Sequence, residues 1–67
     1  MVSETDIQRA AYLVIQRHGD AAESRAMLWA LHFKNVDDIP ASDTWAQIGK
    51  IIPELQRLIA VQNQKLG

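Results

Sequence analysis

The joint Arg17-His18-Gly19-Asp20 constrains this chain more than any other feature, because it ends one helix and starts another within four residues. Arg17 and His18 are cations where the negative end of a helix dipole favours them, and Gly19 is the natural residue for the left-handed turn that follows. Asp20 is placed to accept hydrogen bonds from the free amides of the next first turn, and Glu23 three residues on completes an acidic variant of the capping box. The four residues look like a catalytic signature, yet each has a local task at a helix end or start.

Upstream, Ser3 or Thr5 is a cap for a first helix, with Ser3 and Asp6 at capping-box spacing. Ile7, Ala10, Ala11, Val14 and His18 share one stripe of that helix, with Leu13 and Ile15 at its margins. Small residues at positions 10 and 11 admit close approach of another helix.

Downstream, Ala22, Ala26, Trp29 and Phe33 form the stripe expected of a core face, and the pattern predicts core-anchoring roles for Trp29 and Trp45. Met27, Leu28 and Leu31 project to the other side. Helix two is thus apolar nearly all round in its second half, which in a small protein calls for burial on two sides.

Asn35 to Thr44 is rich in turn formers and caps. Thr44 with Gln47 makes one capping box for a third helix, and Asp38 with Pro40 in the first turn makes a competing start. Beyond it, Trp45, Ile48, Ile52, Leu55 and Ile59 make the strongest amphipathic stripe in the chain, widened by Ile51 and Leu58. Pro53 removes one amide and crowds the carbonyl of Gly49, so a kink between them is expected rather than two helices. From Val61 to Gly67 the chain is polar apart from Val61 itself and Leu66 and is expected to fray.

With 67 residues and no cysteine, the chain has room for one small core and no disulfide to reinforce it. Efficient helix packing or a partner chain must supply the remaining stability. Seven Lys and Arg against eight Asp and Glu give a formal net charge of -1, and the basic residues are scattered, so no nucleic-acid footprint is present. The acidic start, Met1 to Asp6, is unlike a secretion signal, and the apolar run from Met27 to Leu31 is too short to span a bilayer. A cytoplasmic location away from membranes follows as the expectation.

No constellation carries chemistry beyond its structural explanation. His18 and His32 have no cysteine or Glu-x-x-His companion, which leaves a metal site without its ligand count. The adjacent Asp37 and Asp38 read as a solvated turn pair. Ser3, Ser24 and Ser42 lie in no nucleophile elbow, and the three glycines are isolated. The expectation is therefore a protein that is not an enzyme, with no catalytic, cofactor-binding or metal-binding residues and no cofactor. Met27, Leu28 and Leu31 are the candidate interaction face, suited to docking on another helix.

The run from Asp6 to Ala22, Asp-Ile-Gln-Arg-Ala-Ala-Tyr-Leu-Val-Ile-Gln-Arg-His-Gly-Asp-Ala-Ala, is followed by Trp45-Ala46-Gln47-Ile48 and Glu54-Leu55-Gln56-Arg57. In this order the segments resemble a group of short alphaproteobacterial-type helical proteins of uncharacterised function, and the resemblance spans most of the chain. It implies an all-helical fold and a bacterial source, and carries over no activity, ligand or catalytic residue. Two places depart from the pattern: Asn35-Val36-Asp37-Asp38 stands where a Gly-Asp turn is expected, and Pro53 is an addition.

These readings converge on an all-α fold, a small three-helix bundle in one domain over residues 1–67. Its helices are expected at about 4–18, 21–34 and 41–63, the third kinked near Pro53. The expected function is a non-enzymatic protein-protein interaction module that self-associates through helix two. A helix-turn-helix nucleic-acid regulator is one alternative, although Asp43 and Thr44 stand where a recognition helix needs basic groups. A small-ligand-binding bundle with a cavity between Trp29 and Trp45 is the other.

Overall fold

The computed structural model describes residues 3–66, with side-chain surroundings for 3–63. Met1, Val2 and Gly67 lie outside the described residues, and so do the beginning of the acidic N-terminal run and the end of the expected fraying tail. All described elements are helical, with no strand among them.

The first helix, α1 (Glu4–His18), starts on a reciprocal capping box. Ser3 Oγ accepts from the Asp6 amide at 3.2 Å, and Asp6 Oδ2 accepts from the Ser3 amide at 3.4 Å. Two of the unpaired amides at the helix start are thereby satisfied. The helix ends at Gly19, whose amide donates to the Ile15 carbonyl and whose backbone adopts φ 54° and ψ -122°. No atom lies within 4 Å of where a Cβ would stand, so the backbone conformation, not space, selects glycine.

Gly19–Ala21 is a 3-10 turn that leads directly into the second helix, α2 (Ala22–Asn35). The expected Asp20 cap does not form. Ala21 holds the capping position with no side-chain hydrogen bond. The Ala22 amide donates to the Gly19 carbonyl. The tight backbone turn therefore takes up a donor that an Asp20 carboxylate was expected to meet, and the Asp20-Glu23 box does not form.

At its far end α2 closes with the Asp38 amide donating to the Phe33 carbonyl at 2.8 Å and the Asp37 amide to that of Lys34 at 3.1 Å. This is the Schellman pattern, and Asp37 occupies its left-handed position at φ 64°. Asp38 then caps the third helix, α3 (Ile39–Leu66): its Oδ1 accepts from the Ala41 amide at 3.3 Å and its carbonyl from the Ser42 amide at 3.0 Å. The competing start at Thr44 is not used, since that hydroxyl donates back to the Pro40 carbonyl at 2.9 Å. Asp37 thus holds the left-handed position after α2, and Asp38 the cap of α3.

The last helix is one element of 28 residues that runs through Pro53 and on to Leu66, past the point where the sequence suggested fraying. At 1.5 Å per residue it spans about 42 Å, close to the 46 Å long axis of the molecule. α2 lies antiparallel to it. Ser42 Oγ donates to the Ala30 carbonyl at 2.8 Å near one end of the pair, and Ala26 and Met27 meet Gly49 further along. At the other end Gln56 Nε2 donates to the Gly19 carbonyl at 3.0 Å, tying α3 to the joint between α1 and α2. The residues of α3 after Gln56 continue beyond that joint, with Leu58 and Val61 exposed.

The core is narrow. It comprises Ile7, Ala11 and Val14 of α1, Ala22 and Ala26 of α2, and Ile48, Ile52 and Leu55 of α3. The buried face of α2 consists of Ala22, Ala26 and Ala30, which brings its backbone close to its neighbours. Gly49 completes the approach: a Cβ there would stand 2.8 Å from Met27 Sδ and 3.5 Å from the Ala26 Cβ. The glycine expected to relieve crowding by Pro53 is thus also the contact point of α2 on α3.

Two candidate surfaces on α2

Because α2 packs on alanines, its larger apolar side chains fall elsewhere, and they divide between two surfaces. The first is the outward face. Leu28 is 59 % exposed, Leu31 55 % and Met27 51 %. Leu28 and Leu31 lie opposite the line through Ala22, Ala26 and Ala30, as the 3.6-residue repeat dictates. Met27 is set apart from them, since its sulfur lies over Gly49 of α3 and its side chain borders a shallow cleft with Glu23, Asp43 and Lys50. The three predicted interface residues therefore form a pair of outward leucines and a methionine turned toward α3.

The second surface is a groove between α1 and α2, to which α3 contributes Trp45. Its cavity volume is about 530 Å³. Trp29 and Phe33 of α2 and Trp45 of α3 form one wall, and Ala10, Leu13 and Val14 of α1 form the other. Arg17 and His18 stand at its α1 end, and no acidic residue lines it.

The tryptophans depart from the core role expected of them. Trp29 is 44 % exposed, and Trp45 is half-buried against the edge of the core. The physical reason is a rotation. With α2 centred on Ala22, Ala26 and Ala30, Trp29 lies roughly 60° from Ala26 at 3.6 residues per turn, which puts it on the groove side. Its ring stacks on Phe33 and on Trp45, each with centroids 6.1 Å apart and planes inclined by 29° and 30°. His32 meets the same ring edge-on at 5.7 Å. These offset arrangements hold the aromatic wall together while leaving much of Trp29 open to solvent.

Several of the polar side chains singled out in the sequence are engaged in building helices. Ser3, Asp6, Asp38 and Ser42 each hydrogen-bond to backbone. His18 and His32 lie on different elements and both are exposed. Among the described residues, no three His, Asp or Glu side chains are grouped so as to hold a metal ion. No helix there is long and apolar enough to cross a membrane. No family model, no curated protein and no solved structure matches the chain.

Proposed function

We propose that this chain is a non-enzymatic protein-protein interaction module that associates with a second copy of itself through the outward face of α2. In this reading the fold is a three-helix bundle whose third helix bends near Pro53, working in the bacterial cytoplasm. The observation that carries it is the inversion of α2, which turns its alanines inward and Leu28 and Leu31 outward.

Two considerations support the reading. A symmetric dimer presents the same patch twice, so the leucine pair meets its own copy and four leucines leave water together. Fully burying a leucine contributes about 1.5–3 kcal/mol relative to full exposure, and these side chains have roughly half of that left to gain. The narrow core also leaves a small domain in need of such a contribution. The serines and aspartates engaged as caps and helix ties support a structural rather than catalytic use of the polar groups.

The test is size-exclusion chromatography with light scattering across a wide concentration range. The parent chain should move from monomer toward dimer mass as concentration rises, and Leu28→Gln with Leu31→Gln should remain monomeric while still folded. Loss of helical structure in that variant would instead identify the face as part of the core.

A further inference from the structure

We propose that the groove between α1 and α2 is a binding site for a small apolar carboxylate, its hydrocarbon part against Trp29 and Trp45 and its charged end at Arg17. This goes beyond self-association and uses a different surface, since Leu28 and Leu31 do not line the groove.

Three observations converge on this occupant. The cavity volume, about 530 Å³, falls within the range of roughly 300–1,000 Å³ typical of small-molecule sites. A docked helix, at roughly 10–12 Å across with its side chains, is a poor match for a recess framed by so few residues in a molecule only 23 × 15 Å in its two shorter dimensions.

The walls are aromatic and aliphatic, and one of the two indoles among them, Trp29, remains 44 % exposed. Stacked rings of this kind offer a surface to a flat ring or an extended hydrocarbon chain, and nothing else in the described chain covers it.

Charge is one-sided. Arg17 and His18 line one end of the groove and no carboxylate lines any part of it. The dipole of α1 explains why cations are favoured in its last turn, but it does not require Arg17 to border an aromatic recess. A guanidinium there offers a planar fork of donors that matches a carboxylate in two parallel hydrogen bonds.

Tryptophan emission reads the site directly, because both tryptophans of the chain are in its wall. The experiment titrates the intact protein with decanoate and, separately, with decan-1-ol, below the concentrations at which either probe aggregates. Decanoate should produce a saturable one-to-one change, with decan-1-ol binding about tenfold more weakly, the scale of one charge-assisted hydrogen bond. Arg17→Gln should bring decanoate down to the level of the alcohol, while Leu13→Ser weakens both probes together. The Leu28→Gln, Leu31→Gln variant should bind decanoate like the parent, so this result is independent of whether the protein dimerises. Absence of a saturable response, equal binding of the two probes, or an unchanged affinity in a folded Arg17→Gln variant overturns the proposal. So does loss of binding in the leucine variant, or exclusion of decanoate as protein concentration rises, which would mean that a second copy fills the groove.

Discussion

The indole of Trp29 lies across that of Trp45 with ring centroids 6.1 Å apart and planes inclined by 30°, joining α2 to α3 outside the alanine-lined core. The contact shows where this molecule puts its large side chains. The tightly packed centre is built of alanines, isoleucines, one valine and one leucine, while the two heaviest residues stand at its edge.

That placement predicts the cost of removing Trp29. Truncating a fully buried aromatic costs about 3–5 kcal/mol, whereas a ring that is 44 % exposed and contributes chiefly stacking should cost about 1–2 kcal/mol. Chemical denaturation of Trp29→Ala, followed by circular dichroism, checks this. A loss in the upper range would place Trp29 in the core.

Gly19 makes a sharper prediction. Its φ of 54° with ψ of -122° is a conformation side chains avoid, and open space surrounds the missing Cβ. Gly19→Ala should therefore destabilise by about 1–3 kcal/mol through the backbone. The unfolding midpoint should fall without a change in the denaturant slope, and an unchanged midpoint would contradict the strained turn.

The turn before α3 predicts opposite signs at neighbouring aspartates. Asp37 holds the left-handed position at φ 64°, so Asp37→Gly should stabilise by about 0.5–1 kcal/mol. Asp38 caps α3, and Asp38→Ala should destabilise by about 1 kcal/mol. Paired thermal melts of the two variants, shifted in opposite directions, are the expected result. Shifts of the same sign would mean that the two residues do not divide these roles.

Much of the architecture is legible in the sequence because it is local. Ser3 with Asp6, Gly19 after a basic last turn, and the stripe through Ile48, Ile52 and Leu55 each need only neighbours along the chain to be read. The azimuth of α2 is less legible. A stripe of Ala22, Ala26, Trp29 and Phe33 and a face centred on Ala22, Ala26 and Ala30 overlap at two positions, and helical periodicity does not separate orientations roughly 30° apart. The approach of α2 to Gly49 settles the choice, and that contact joins residues more than twenty positions apart. The same rotation opens the groove between the aromatic wall and α1, whereas the cavity expected between Trp29 and Trp45 is closed by the stacking of their rings. Asp20 illustrates a different limit: a good capping residue was present, but a 3-10 turn from Gly19 satisfied the Ala22 amide first.

Sedimentation equilibrium of the parent chain beside its Leu28→Gln, Leu31→Gln variant tests the central claim most directly. A reversible monomer–dimer equilibrium in the parent, abolished in a variant of unchanged helical content, is the predicted result. A parent that stays monomeric at every concentration, or a variant that dimerises equally well, would contradict association through the outward face of α2.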